Sequence, residues 1–289
     1  MPDNTITARD ALARGAASLS PDAAADARRL LLFALGWQAL DLVKHPDHIL
    51  LHTEAALYRQ LLDRRRAGEP VSRITGTRGF YGREFIVTAA TLDPRPESET
   101  LIDTALDLMS ATYPGGAGLD ILDIGTGTGC LLLTLLAEWP AARGTGIDPS
   151  PEALAAAAAN AAALGVADRC TWVGGYDFAG LMRRFPLIVS NPPYIATGDI
   201  SGLAREVRDH DPRRALDGGP DGLNVYRSIA SALDIHASPG WVVFEAGDGQ
   251  AEAIVSIITA ALPPRRAGHC NVVSDMAGKQ RCVAIEIRS

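Results

Sequence analysis

Leu122-Asp123-Ile124-Gly125-Thr126-Gly127-Thr128-Gly129 decides the reading of this chain, because three glycines at alternate positions follow a short apolar run and precede an apolar, helix-like segment. Glycine takes positive φ freely and lets a ligand approach the backbone. The helix that follows such a turn offers free N–H groups at its N-terminus. The turn therefore suits a nucleotide-like cofactor, although a structural turn would use the same glycines. A dinucleotide fingerprint, G-x-G-x-x-G, would need glycine where Cys130 stands, so the match to that pattern is imperfect.

Working outward, short apolar runs alternate with helical segments, the pattern of a mostly parallel sheet covered on both faces. Strands are expected at Ile121–Ile124, Gly144–Asp148, Cys170–Val173, Leu187–Ser190, Trp241–Glu245, Asn271–Ser274 and Cys282–Ile287. Helices are expected at Leu131–Trp139, Pro151–Leu164, Leu223–Ile235 and Gln250–Ala261. No helix separates the last two strands, which should pair antiparallel. The alanine run Ala155–Ala159 reads as helix because alanine has the best helix propensity.

The first seventy residues read as helices at Thr7–Leu19, from Ser20-Pro21 to a stop at Gly36, at Ala39–Lys44 and at Thr53–Ala67. Between Glu69 and Pro96 the pattern turns strand-like around GFYGREFIVT, with Gly79 and Gly82 as turn signals. The fold class is thus α/β: a seven-stranded, mostly parallel Rossmann-like sheet with a small N-terminal helical bundle joined by a β-hairpin. The boundaries expected are 1–68 for the bundle, 69–98 for the hairpin linker and 99–289 for the sheet domain.

Composition narrows the function. With 289 residues, 47% hydrophobic and 21% charged, the chain can bury a core in two unequal domains. A net charge of -7 and only two lysines, Lys44 and Lys279, argue against a dominant phosphate-binding surface, so direct nucleic-acid binding is not expected. Cys130, Cys170, Cys270 and Cys282 are widely spaced and lack zinc-site spacing, which reads as free thiols in a reducing compartment. The N-terminus shows no signal-peptide core and no apolar run reaches membrane length, so a cytoplasmic location is expected.

Two further stretches carry chemistry. Asp148 ends the second expected strand nineteen residues beyond Gly129. There it could accept both ribose hydroxyls of a cofactor lying across the strand ends, or merely cap the helix that follows. Asn191-Pro192-Pro193-Tyr194 follows the apolar run Leu187-Ile188-Val189-Ser190. Two prolines fix the backbone and remove donors, so the Asn191 side-chain oxygen and the Pro192 carbonyl can both face an NH2 group, with Tyr194 over its planar face. A rigid turn is the alternative for the same residues, but a proline pair directly after a core strand favours the ligand-facing reading.

Other candidates read as bland. Pro46 interrupts the segment holding His45, His48 and His52, which counts against a metal site. Arg64-Arg65-Arg66 at a helix end reads as a solvated, dipole-compensating face. Glu245 ends a core strand near the expected site, where it could contribute indirectly or satisfy local backbone donors.

The combination of GTGTG, Asp148 and NPPY, flanked by EPVSRITGTRGFYGREF, LDPRPESETLID and ALDGGPDGLNVYR, resembles the HemK/PrmC family of protein-(glutamine-N5) methyltransferases, over roughly residues 69–289. The resemblance implies that Gly125, Thr126, Gly127, Thr128, Gly129 and Asp148, with Asn191 also touching it, hold S-adenosylmethionine and that Asn191, Pro192, Pro193 and Tyr194 hold a glutamine amide. It further implies that the N-terminal bundle helps bind a peptide chain release factor. There are departures. An Asp-Trp pair usual in the family is here Gly175-Tyr176, which gives Tyr176 the contact with the adenine ring; Arg73 replaces an aromatic residue and Asp93 an apolar one. A ribosomal-protein glutamine methyltransferase, an adenine-N6 nucleic-acid methyltransferase and a non-catalytic S-adenosylmethionine-binding adaptor share parts of this pattern.

Overall fold

A computed structural model describes residues 6–175, 181 and 183–289. The apolar run ahead of the glycine turn is a central strand, β3 (Asp120–Ile124), flanked by β4 (Arg143–Asp148) on one side and β6 (Phe185–Ser190) on the other. Both pairings are parallel. β5 (Cys170–Gly174) extends the sheet beyond β4, and β7 (Ala237–Glu245) pairs in parallel with β6. β9 (Gln280–Ile287) lies between β7 and β8 (Ala267–Ser274), antiparallel to both. The order is therefore β5-β4-β3-β6-β7-β9-β8. The chain steps outward from β3 to β5 and then returns to β6 on the opposite side of β3. That reversal opens a crevice at the carboxyl ends of β3 and β6, where sheets of this kind receive ligands.

Burial on both faces explains the nearly continuous apolar strands. Leu122, Ile188 and Phe244 pack on one face with Tyr226, Ile229 and Leu233 of α10 (Asn224–His236) and Ile254 and Ile258 of α11 (Ala251–Ala261). Their strand neighbours Ile121, Leu187, Val189 and Val243 pack on the other face, against α6 (Glu99–Met109) and α7 (Cys130–Glu138). Helix α8 (Pro151–Ala163) contains the alanine run, with Ala156, Ala157 and Ala161 buried. The helices expected from the sequence did not include α6. Its Leu101, Ile102, Ala105 and Met109 sit at the spacing that buries one helical stripe.

The chain divides into two compact units, Met1–Thr77 with Arg205–His210, and Arg78–Ala204 with Asp211–Ser289. The first unit contains α1 (Ala8–Ser18), α2 (Ala24–Leu35), α3 (Ala39–Lys44), α4 (His52–Arg66), α5 (Val71–Thr75) and the distant α9 (Arg205–His210). Leu30, Leu31, Tyr58, Leu61, Leu62 and Ile74 form its core. Gly15 lies against Tyr58, since a Cβ there would fall 1.9 Å from the Tyr58 hydroxyl oxygen.

The arginine run is paired: Arg64 with Glu69, Arg66 with Asp63, and Arg65 with Asp26 at 2.7 Å and with Glu206 of α9 at 2.6 Å. Helix α2 begins at Ala24, after a 3-10 turn over Pro21–Ala23, and Ser20 makes no side-chain cap. Its end is as expected, with Gly36 in the left-handed region at φ 64°.

Residues 69–77 lie with the helices, because Ile74 of α5 joins the bundle core. The hairpin is shorter than the 69–98 span expected: β1 (Thr77–Phe80) and β2 (Arg83–Ile86) form a separate two-stranded sheet. Among the described residues no helix is long and apolar enough to cross a membrane, and no group of three or more His, Cys, Asp or Glu could hold a metal ion.

Candidate active site

At the end of β3 the backbone reverses through Gly125, Gly127 and Gly129, whose φ angles are 72°, 56° and 79°. The Gly125 and Thr126 N–H groups both donate to the Ile147 carbonyl, at 2.9 and 3.0 Å, which ties the turn to β4. Gly129 has a packing role. A Cβ there would lie 2.9 Å from Leu133 Cδ1 and 3.3 Å from Ala157 Cβ, so glycine lets α7 and α8 close over the turn. Buried Asn160 of α8 fastens this corner to the hairpin. Its Nδ2 donates to the carbonyls of Thr128 and Ile86, and its Oδ1 accepts from the Ile86 N–H at 2.7 Å.

Two carboxylates stand beneath and beside the turn. Asp123, 1% exposed, accepts the Thr126 hydroxyl at 2.6 Å, while its other oxygen has no hydrogen-bond partner among the described residues. Burial pushes its carboxyl up to about 7, against the Thr126 hydrogen bond that favours the charged form. Asp148 accepts the Gly127 N–H at 3.0 Å through one oxygen and the Ser150 N–H at 2.9 Å through the other. The cap of α8 is Ser150, whose hydroxyl accepts from the Ala153 N–H. A carboxylate offers about four acceptor positions, so Asp148 retains capacity for a ligand's hydroxyls.

The Asn191–Tyr194 turn begins where the Ser190 hydroxyl donates to the Ile124 carbonyl at 2.7 Å, joining the ends of β6 and β3. Asn191 Nδ2 donates to Glu245 at 2.7 Å and to the Ser98 oxygen at 3.1 Å. Ser98 in turn donates its hydroxyl proton to Glu245, and the Tyr194 hydroxyl reaches the other Glu245 oxygen at 3.4 Å. Glu245 is 2% exposed, and burial raises its carboxyl above the usual range despite these donors. The Tyr194 phenol is likewise raised, first by burial and then by the Glu245 charge. Behind the turn, Gln250 donates to the Tyr194 carbonyl at 3.0 Å. Gly222 of the ALDGGPDG segment passes so close that a Cβ would lie 2.2 Å from that same carbonyl oxygen.

One cleft, open to solvent, brings together Gly125, Thr126, Gly127, Thr128, Asp148, Asn191 and Pro193. Gly129, Pro192 and Tyr194 do not line it. Pro192 is buried, and the Tyr194 ring is turned toward Glu245 instead of covering the cleft. Tyr176 lies outside the described residues.

Sequence reasoning did not single out Ser98, Arg95 and Arg214, which also line the cleft. The charged, proline-bracketed segment LDPRPESE was the available signal for the first two. Arg95 pairs with Asp211, and Asp93, buried where the resemblance led us to expect an apolar side chain, lies 3.8 Å from Arg95 and 3.9 Å from Arg78. Arg214 donates to the Ser150 hydroxyl at 2.6 Å. The cleft wall is thus bare backbone at the glycine turn, where the Gly125, Thr126 and Gly127 N–H groups are already engaged, and acceptor-bearing at Asp148 and Asn191, with apolar Leu92 and Leu131 also lining it.

Comparison with known proteins gives consistent matches along the chain. The family model described as PrmC N-terminal domain matches residues 8–76, and the one described as Methyltransferase small domain matches residues 97–213. A protein of Cereibacter sphaeroides named release factor glutamine methyltransferase is 44% identical over 280 residues, covering 96% of each chain. Proteins of the same name from Bradyrhizobium diazoefficiens and Rhodospirillum rubrum are 44% and 40% identical, covering 91% of this chain and 88% and 79% of theirs. A solved structure of the hMettl16 catalytic domain, in complex with a MAT2A 3'UTR hairpin, superposes with a TM-score of 0.56 at 14% identity, covering 90% of this chain and 93% of that one. At that identity the likeness concerns the fold alone.

Proposed function

The chain belongs to the release factor glutamine methyltransferase family, and from that premise we propose that it transfers a methyl group from S-adenosylmethionine to the side-chain amide nitrogen of a release-factor glutamine. The substrate is the glutamine of the Gly-Gly-Gln loop of class I factors. The observation that carries this reading is the single cleft shared by the glycine turn, Asp148 and Asn191.

S-Adenosylmethionine fits the residues present: glycine backbone that admits close approach, a carboxylate on Asp148 with spare acceptor positions, and apolar Leu92 and Leu131. When bound, it supplies an electrophilic methyl group on a sulfonium sulfur. Asp148 would hold the ribose hydroxyls, and Gly125–Thr128 would pack along the cofactor's backbone-facing side.

A glutamine amide nitrogen is a poor nucleophile because its lone pair is delocalised into the carbonyl. Asn191 Oδ1, on the cleft wall, would accept one of its hydrogens, fixing the nitrogen in line with the methyl and stabilising positive charge as it develops there, whereas Pro192, expected to share this role, does not line the cleft. Pro193 supplies a rigid wall without a competing N–H donor. No covalent enzyme intermediate is needed: the methyl would leave sulfur as the N–C bond forms, giving S-adenosylhomocysteine, and the nitrogen would then release one of its two protons to solvent through the open cleft. The first unit, matched by the PrmC N-terminal domain, would supply docking contacts for the intact factor.

Incubation with labelled S-adenosylmethionine and purified release factor tests the proposal. Mass spectrometry should find one added methyl on the loop glutamine, and a Gln→Glu factor should remain unlabelled because a carboxylate offers no NH2. Label on lysine, on adenine or on a ribosomal-protein glutamine, with the release factor untouched, overturns it.

A further inference from the structure

We propose that Glu245 is a positioning residue that decides which end of the Asn191 side-chain amide faces the cleft, and so selects a substrate nitrogen that donates a hydrogen to it. The inference rests on the role given to Asn191 above. A side-chain amide is nearly symmetric in shape, and turning it over exchanges an acceptor oxygen for an NH2 donor with almost no change in volume. An Asn191 turned over would point donors at the substrate's own donors. Something other than packing must hold it.

The surroundings of Asn191 supply that constraint. Glu245 Oε2 accepts from Asn191 Nδ2 at 2.7 Å, and Ser98 Oγ accepts from the same nitrogen at 3.1 Å. Ser98 could offer Asn191 a donor only through its single hydroxyl proton, and that proton is directed at Glu245. Both neighbours are therefore acceptors toward Asn191. An inverted amide would set its oxygen against two oxygens and lose two hydrogen bonds to the buried side chains of Ser98 and Glu245, where unmet polar groups are costly.

Glu245 is held in this role from several sides. Its second carboxylate oxygen receives the Tyr194 hydroxyl at 3.4 Å, and its backbone carbonyl receives the Tyr226 hydroxyl at 2.7 Å. It stands at the last position of β7, and Asn191 at the first position after β6. The Asn191 orientation is thus written into the pairing of two strands.

Glu245→Gln keeps the shape but provides an NH2 group that an inverted Asn191 can satisfy. With the full-length enzyme, saturating turnover should fall at least tenfold, while S-adenosylmethionine affinity by equilibrium binding and the thermal unfolding midpoint stay near those of the parent. In an Asn191→Ala background the same change should cost no more than about twofold, since there is no amide left to orient. Ser98→Ala, which removes one of the two acceptors together with the hydroxyl donor to Glu245, should give a smaller loss that also vanishes in that background, and it decides the matter should Glu245→Gln fail to fold. Parental turnover in Glu245→Gln, or equal losses with and without Asn191, overturns the inference. If Asn191→Ala itself turns over normally, the site reading above fails; a defective Asn191→Ala beside an active Glu245→Gln sinks only the inference about Glu245.

Discussion

Two turns at neighbouring strand ends, paired at Ile124 and Ser190, solve opposite chemical problems. The turn after β3 is made of glycines in the left-handed region, and its N–H groups are spent on the Ile147 carbonyl and the Asp148 carboxylate. The turn after β6 contains Pro192 and Pro193, which have no N–H to give. One admits a ligand by withholding side chains, the other by withholding donors. Each also rests on a buried carboxylate, but the two are satisfied differently: Glu245 collects donors on both oxygens, whereas Asp123 leaves one oxygen without a partner among the described residues. Residues that fix or free φ thus set the polarity of a cleft as effectively as charged side chains do.

The largest expected effect tests the proline side. Asn191→Ala should lower methyl transfer by about 10²-fold or more, as removal of one charge-stabilising acceptor does elsewhere, with the fold retained by circular dichroism. Normal turnover would reduce the Asn191–Tyr194 segment to a rigid turn.

The contrast between the buried carboxylates predicts a pH effect on stability. The Asp123 carboxyl titrates near 7 in the folded chain and near 3.8 when free of its surroundings. Between those values the folded state binds the extra proton, so the stabilising contribution of protonated Asp123 is complete below 3.8 and is lost as pH rises toward 7. In Asp123→Asn that slope should be missing. Denaturant unfolding at several pH values measures it, and identical slopes in the two proteins would contradict it.

On the glycine side, Asp148→Ala should weaken S-adenosylmethionine binding by about 1–3 kcal/mol through lost hydrogen bonds to a charged acceptor. Isothermal calorimetry gives the difference directly, and unchanged affinity would remove Asp148 from the cofactor site.

Backbone substitutions are smaller still. Gly125→Ala meets no atom within 4 Å, so its cost is the left-handed φ alone, about 1–2 kcal/mol of unfolding free energy. Pro193→Ala should lose only about 0.4–1 kcal/mol through added freedom of the unfolded chain. Denaturant midpoints rank the two, and a reversed order would mean that the glycine turn relaxes where the proline turn cannot.

Most strands were readable because their signals are local: Leu187–Ser190 is a short apolar run, and the glycines of GTGTG punctuate the end of another. Helix α6 was masked by the charged PRPESE segment just before it, although Leu101, Ile102 and Ala105 carry a helical stripe. The bundle boundary at Gly68 missed α5, since five residues after a proline give too little periodicity to read. Asp93 was visible as a departure from the family pattern, but its neighbours Arg78 and Arg95 were not, because a charge near a hairpin does not announce its partners. At the cleft, residues that act through their own backbone, such as Gly125 and Gly127, could be found by inspection. Ser98 could not, because its meaning depends on a carboxylate from another strand.

That dependence gives the cleft a history as well as a shape. Ser98 and Glu245 are separated by 147 positions, and Ser98 and Asn191 by 93. Contacts this distant in sequence form only after much loop-closure entropy has been overcome, so parallel sheets of this kind mature slowly. A refolding chain should recover its helical ellipticity first and its enzymatic competence last, when β6 and β7 lie side by side. Half-made protein emerging from synthesis would then possess every residue up to the Asn191–Tyr194 turn and still be inert until β7 arrives to orient it.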